Sequence, residues 1–91
     1  MVIWSEPAKS DLRKIFNYIA CDSKYYAGKV IQEFVDRSEA LNEFPKMGKI
    51  LAEVGNPEVR EIHVYSYRLI YKQSQTHIEI LAIVNDRQGH I

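Results

Sequence analysis

Four side chains in the second half of the chain could act on a phosphodiester: those of Arg60, Arg68, Arg87 and His90. If the C-terminal tail folds back over a sheet, the His90 imidazole would move a proton while Arg68 and Arg87 hold the anion. A histidine in a polar tail more often has no such role. The arginines also have a structural interpretation, as ion-pair partners of the acids Glu53, Glu58, Glu61 and Asp86. That interpretation is favoured most for Arg60, which neighbours Glu58 and Glu61.

Arg68 lies between two tyrosines, Tyr67 directly before it and Tyr71 shortly after it. An arginine framed by tyrosines can hold a phosphate, or an acidic peptide of a protein partner. We therefore predict Tyr67, Arg68 and Tyr71 as binding residues. The sequence does not choose between the two ligands.

The sequence shows no pattern for a cofactor or a metal. It has no glycine-rich phosphate loop, no His-x-x-x-His pair and no serine nucleophile elbow. The histidines His63, His77 and His90 are too scattered to indicate a metal site. The single cysteine, Cys21, cannot form an internal disulfide. We expect neither a cofactor nor a metal.

The charges balance, with 12 basic and 12 acidic residues. A tight nucleic-acid binder usually carries a basic excess, because neutralising phosphates supplies much of its affinity. The balance disfavours that class, although a neutral protein can still carry a local basic patch. The N-terminus does not resemble a signal peptide, and no apolar run approaches the roughly 20 residues of a membrane span. We expect a cytoplasmic protein without a membrane partner.

The first half of the chain predicts a short strand followed by a helix hairpin. Val2-Ile3-Trp4 is β-branched and aromatic, as strands are. Ser5, Glu6 and Pro7 are typical of a helix start, and apolar residues at helical spacing predict a helix over 7–21. Asp22-Ser23 breaks this helix and caps a second one, which Phe44-Pro45 ends.

The second half predicts a sheet. Residues 46–57 contain glycine, asparagine and proline and predict a loop. The apolar period then changes to two, which predicts strands over 60–65, 67–72 and 77–84, with turns at Ser66 and at 73–76 and a polar tail over 85–91. The predicted fold is a single α+β domain, 1–91, of order β-α-α-β-β-β. Its helix hairpin packs on a mainly antiparallel four-stranded sheet, with the first strand at an edge.

In this order the chain resembles the RelE/ParE superfamily of toxins over nearly its whole length. The resemblance rests on five segments with compatible spacing: Ile3-Trp4-Ser5-Glu6-Pro7-Ala8 with Asp11-Leu12; Tyr18-Ile19-Ala20 with Asp22-Ser23; Leu41-Asn42-Glu43-Phe44-Pro45 with Gly48; Arg60-Glu61 with Tyr67-Arg68-Leu69-Ile70-Tyr71; and Ile80-Leu81-Ala82-Ile83-Val84 with Arg87. Four features are closer to the ParE branch: the hairpin break at Asp22-Ser23, the end of the second helix at Phe44-Pro45, the stretch 53–61 and the zero net charge. Asn85-Asp86 departs from the His-Gly pair that is common in that branch.

The resemblance implies the toxin of a type II toxin–antitoxin pair, which halts growth until a cognate antitoxin protein neutralises it. A ParE-like member would poison DNA gyrase without a catalytic site of its own. A RelE-like member would instead cleave messenger RNA on the ribosome, with Arg60, Arg68, Arg87 and His90 as the candidate catalytic set. A third alternative is a non-toxic interaction module.

Overall fold

The helix hairpin begins at Ser5, and its caps are built as the sequence predicts. In the computed structural model, which describes residues 1–86, strand β1 (Val2–Trp4) leads into helix α1 (Glu6–Ala20). The Ser5 hydroxyl accepts the Ala8 N–H at 3.2 Å, and Pro7 lies in the first turn, where its missing N–H costs nothing. Ser23 caps helix α2 (Lys24–Ala40) in the same way by accepting the Tyr26 N–H at 3.1 Å.

Helix α2 ends earlier than the sequence indicates. The expected end was Phe44-Pro45, but the regular helix stops at Ala40. The next turn tightens, with the Leu41 N–H bonded to the Ser38 carbonyl and the Asn42 N–H to the Glu39 carbonyl. Leu41 is fully buried, so this turn inserts an apolar side chain into the core before the proline is reached.

Within the described residues, the sheet has five strands rather than the four predicted. Their order is β1-β5-β4-β3-β2, where β2 is Lys49–Ile50, β3 is Val59–Val64, β4 is Tyr67–Gln73 and β5 is Ile78–Asn85. Strand β1 runs parallel to β5 at one edge, as expected for an edge position, and the other pairings are antiparallel. The additional strand, β2, lies within the predicted loop 46–57. Two residues are too few for a periodic pattern, so only pairing with β3 identifies it.

The register of the strands decides which side chains face the helices. Ile62 lies opposite Leu69, and both are buried with Phe34 of α2 in the core. Neighbouring positions alternate to the other face, which the helices do not cover, and His63 pairs there with Arg68. One sheet face therefore carries the core and the other carries the charged residues of β3 and β4.

The turn between β3 and β4 is a two-residue turn at Tyr65 and Ser66, since Val64 pairs with Tyr67. Tyr65 has φ of 56°, a left-handed conformation that is uncommon for a bulky residue. Within residues 1–86, no helix is long and apolar enough to cross a membrane.

Candidate functional site

Arg68 is the centre of a charged cluster on the uncovered sheet face. Its Nη1 donates to Oε1 of Glu61 at 3.1 Å, and its Nε lies 3.4 Å from Oδ1 of Asp86. The Nε2 of His63 is 3.7 Å from the same Asp86 oxygen. Glu61 is only 6% exposed, so its carboxylate depends on Arg68 for compensation of its charge. Two carboxylates thus offset the positive charge of Arg68, which weakens the attraction of this residue for a phosphate.

Arg60 lies on the opposite face of β3 and binds a loop. Its Nη1 donates to the Gly48 carbonyl at 2.7 Å and lies 3.5 Å from the Lys46 carbonyl. The expected ion pairs of Arg60 with Glu58 and Glu61 are not formed in the described part of the chain. Strand alternation turns the Glu61 side chain to the other face, where it forms an ion pair with Arg68. Arg60 does tie the loop to the sheet, but through carbonyl groups rather than acids.

Tyr71 anchors the same loop from inside the core. Its hydroxyl donates to the Pro45 carbonyl at 2.8 Å and accepts the Gly48 N–H at 3.0 Å. Burial raises the pKa of the Tyr71 phenol, and the Gly48 N–H and the Arg60 charge lower the pKa by smaller amounts. The ring is fully buried, so the structure gives Tyr71 a structural role and no surface for the partner contact that the sequence suggested.

Tyr67 is half-buried and lines a cavity of about 380 Å³ between α1 and the sheet. Its ring meets Phe34 edge to face, with centroids 5.7 Å apart. Burial raises the pKa of the Tyr67 phenol, and the nearby Tyr18 adds to the increase. The cavity's other lining residues are Asp11, Lys14, Ile15, Tyr18, Ile83 and Asn85. Of the three predicted binding residues, Tyr67 and Arg68 thus face different sides of the sheet.

A second, more apolar groove of about 460 Å³ lies beside edge strand β1. Its walls come from β1, α1 and α2 and include Val2, Trp4, Leu12 and Val35. Ile3, in the same edge strand, is exposed on the uncovered sheet face. The apolar surface therefore continues from the groove around the edge of the sheet. The fold therefore leaves a groove and a sheet face open to a protein partner.

Within residues 1–86, the structure does not bring the members of the predicted catalytic set together. Arg60 and Arg68 lie on opposite faces of the sheet. Arg68 pairs with His63, and Arg60 precedes His63 by three residues in β3, so strand alternation turns Arg60 to the other face. Arg87 and His90 lie outside the described residues. Among residues 1–86, no group of three or more His, Cys, Asp and Glu side chains could hold a metal ion.

These features can be compared with known proteins. A family model described as "ParE toxin of type II toxin-antitoxin system, parDE" matches residues 2–89. The chain belongs to the ParE toxin family. The resemblance to the RelE/ParE superfamily, and its assignment to the ParE branch, are confirmed by this match. No curated protein matches the chain at a significant level.

The ParE fold itself recurs in a solved structure. A chain titled "Chromosomal ParDE TA system from P. aeruginosa" superposes with a TM-score of 0.76 at 22% sequence identity, over 92% of each chain. At that identity the similarity shows the fold, and it confirms the α+β class with a helix hairpin on one sheet face.

Sequence reasoning missed several residues that shape this ParE-family site. Glu61 was predicted as an ion-pair partner of Arg60, but it is buried and pairs with Arg68. Asp11 was not among the predicted site residues, yet its Oδ2 accepts the Ile83 N–H at 3.0 Å and so joins the helix to β5. The opposite charges of Glu61 and Arg68 could have indicated this ion pair. The pair can be predicted only when the register between β3 and β4 is known.

Proposed function

We propose that this ParE-family chain inhibits growth by poisoning DNA gyrase in the cytoplasm, and that a cognate antitoxin neutralises it. The observation that carries the proposal is the family match over residues 2–89. Such a toxin acts by binding its target and needs no catalytic constellation. The neutralised state of Arg68 is consistent with that, because a nuclease needs its arginines free for the phosphodiester.

The antitoxin would cover the apolar surface that the fold leaves open. On the uncovered sheet face, Ile70 pairs with Ala82 and Arg68 with Val84, which places three apolar side chains side by side. The groove lined by Trp4, Leu12 and Val35 lies at the adjoining edge. An extended or helical segment could bury both surfaces at once, as segments do when they fold on a partner.

A ribosome-dependent nuclease remains the second candidate, and one observation favours it. Asp86 directly precedes Arg87 in the sequence and lies 3.4 Å from the Nε of Arg68. Arg68 and Asp86, the last described residue, are thus in contact, whereas Arg87 and His90 lie outside the described residues. Arg60, on the other sheet face, is not part of this arrangement.

Induction of the protein alone separates the two candidates. We expect altered plasmid supercoiling and trapped gyrase–DNA cleavage complexes, with messenger RNA intact. Cuts within coding regions, together with unchanged supercoiling, would establish the nuclease instead.

A double variant sharpens the comparison. Glu61→Gln with Arg68→Gln removes both charges together, so no charged group of the pair is left buried without its partner and the fold should persist. A gyrase poison should keep its toxicity in this variant, whereas a nuclease that depends on Arg68 should lose it. Lys9→Gln with Glu6→Gln, an exposed ion pair at the start of α1, is the matched control.

A further inference from the structure

The apolar groove beside strand β1 has two helical walls of opposite charge. The α1 wall contributes Lys9 and Arg13, and the α2 wall contributes Glu39. The rest of the lining is apolar apart from Ser38, and it includes the half-buried Trp4 of β1. An occupant of this groove would therefore meet positive charge along α1, negative charge along α2 and an apolar surface in the same cavity.

Two of these charges are not used within the fold. Lys9 is offset by Glu6, whose Oε2 lies 3.3 Å from the Lys9 Nζ. The side chains of Arg13 and Glu39 are exposed, and within residues 1–86 they form no ion pair or hydrogen bond, either with each other or with a third group. They line one groove without closing over it. Both charges are thus free to meet groups of an occupant.

These charges and the lining disfavour a nucleic acid as the occupant. Phosphates would be attracted by Arg13 but repelled by Glu39 on the other wall. Binding of unpaired bases usually relies on successive aromatic side chains, and Trp4 is the one aromatic residue among those that line the groove. A polypeptide can instead present acidic, basic and apolar side chains from a single backbone.

The concave shape disfavours a second copy of this chain as the occupant. In a two-fold dimer through this surface, Arg13 of each copy would face Glu39 of the other, so the charges alone would match. Two facing grooves would nevertheless keep their apolar linings apart and enclose water, whereas stable interfaces pack closely at their centre. The groove needs a convex ridge, which one amphipathic segment of another protein supplies.

We propose that the groove takes an amphipathic segment of the cognate antitoxin, and that Arg13 and Glu39 select this segment by its charges. The segment carries an acidic side chain toward Arg13, a basic side chain toward Glu39 and an apolar side chain against Trp4. This inference rests on the proposed neutralisation by an antitoxin, and it adds the chemistry by which the toxin recognises its own antitoxin. A segment with reversed charges would meet like charges on both walls and be rejected.

The test exchanges the two charges in the double variant Arg13→Glu with Glu39→Arg. The exchange leaves the net charge unchanged, and both side chains are exposed, so the fold should persist. Association of the purified variant with the purified cognate antitoxin would be followed by biolayer interferometry. We expect an association rate at least about tenfold below that of the wild type at low salt, because exposed charges act mainly on encounter. The difference should shrink at about 0.5 M salt, which screens exposed charges.

A matched control exchanges two exposed charges at the helix break, in the double variant Asp22→Lys with Lys24→Asp. Neither residue lines the groove, so this variant should associate as the wild type does. Val35→Ala removes part of the apolar lining instead. It should raise the dissociation rate and leave the association rate almost unchanged, because apolar contacts form after encounter. Circular dichroism would verify that every variant is folded.

Equal association rates of the wild type and the Arg13–Glu39 exchange would overturn the inference, and so would an equal loss in the Asp22–Lys24 control. Dimerisation of the wild type that the Arg13–Glu39 exchange abolishes would also overturn it, because the groove would then belong to a second copy. An antitoxin that does not bind the wild type at all would instead refute the proposed neutralisation. The two failures are therefore distinguishable.

A selection tests the same charges from the side of the antitoxin. A phage-displayed library of the antitoxin, with its charged positions varied among Asp, Glu, Lys and Arg, would be selected on the immobilised Arg13–Glu39 exchange variant. We expect recovered clones to carry a base in place of an acid and an acid in place of a base. Recovery of the original charges alone would contradict the inference.

Discussion

At the scale of single residues, the most informative contact is the buried pair of Glu61 and Arg68. Arg68→Ala would leave a 6%-exposed carboxylate without its partner, so we expect a loss of about 2–3 kcal/mol in the free energy of unfolding. Denaturant titration would measure it. Glu6→Ala, which breaks an exposed pair with Lys9, should cost less than about 0.5 kcal/mol. Equal losses in the two variants would show that the buried pair contributes no more to stability than the exposed pair does.

This coupling also determines how toxicity data on Arg68 must be read. An inactive Arg68→Ala protein is ambiguous, because the substitution removes a guanidinium and strands Glu61 at the same time. The paired glutamine variant avoids that ambiguity, since neither side is left charged and buried.

Gly48 is a residue where only glycine fits. A Cβ there would lie 2.6 Å from the Glu61 carbonyl oxygen and 2.7 Å from the Tyr71 hydroxyl oxygen. Gly48→Ala should therefore destabilise the protein by about 2–4 kcal/mol. Gly28 is the matched control: it lies within α2 with nothing within 4 Å of the added methyl group. Gly28→Ala should stabilise the protein by about 0.5–1 kcal/mol, and destabilisation there would contradict this account of the two glycines.

Tyr71 predicts how stability depends on alkaline pH. Burial raises its pKa in the folded state above the ordinary value of 10.0, so the unfolded chain loses the phenolic proton first. The stabilisation is complete below pH 10 and declines as the pH rises toward the folded-state pKa. Tyr71→Phe should flatten this decline in part, because the pKa of Tyr67 is also raised and keeps its own contribution. Denaturation midpoints measured from pH 8 to 11 would test this, and identical profiles would contradict it.

At the scale of elements, the uncovered sheet face has the clearest consequence. Ile70 lies on this face in β4, beside Ala82 of β5. Ile70→Lys would place a charge on the proposed antitoxin surface without touching the core, so the toxin should stay folded and active but escape neutralisation. Co-expression with the cognate antitoxin would show this as lost rescue of growth. Ile50→Lys, an exposed site on β2, should still be rescued.

The elements were largely predictable because their signals are local. The helix caps at Ser5 and Ser23 and the period change after Pro57 placed the hairpin and the three later strands within a few residues. Strand β2 and the early end of α2 were missed for the same physical reason. Lys49–Ile50 exists only through pairing with β3, and Leu41 ends the helix by packing into a core whose position the sequence does not show.

The candidate site was predictable in its residue types but not in its geometry. The sequence predicted Arg60 and Arg68 in a catalytic set and Tyr67, Arg68 and Tyr71 in a binding set, yet strand alternation divides both sets. Arg60, Tyr67 and Tyr71 share the helix side, whereas Arg68 pairs with Glu61 on the other side. Register is a tertiary property, so the faces could not be assigned from spacing alone.

At the scale of the whole molecule, the chain is a ParE-family toxin fold that leaves an apolar groove and one sheet face open. We propose that an antitoxin segment covers these surfaces, and that the toxin acts by holding a target complex rather than by cutting a substrate.

The most direct test of this account is a cleavage assay with purified gyrase, plasmid DNA and the purified protein. The account predicts that the protein inhibits supercoiling and that linear plasmid accumulates after denaturation of the trapped complexes. The Glu61→Gln, Arg68→Gln double variant should give the same result, and excess antitoxin should abolish it. Normal supercoiling without linear plasmid at saturating protein, together with cleavage of messenger RNA on ribosomes, would contradict the account.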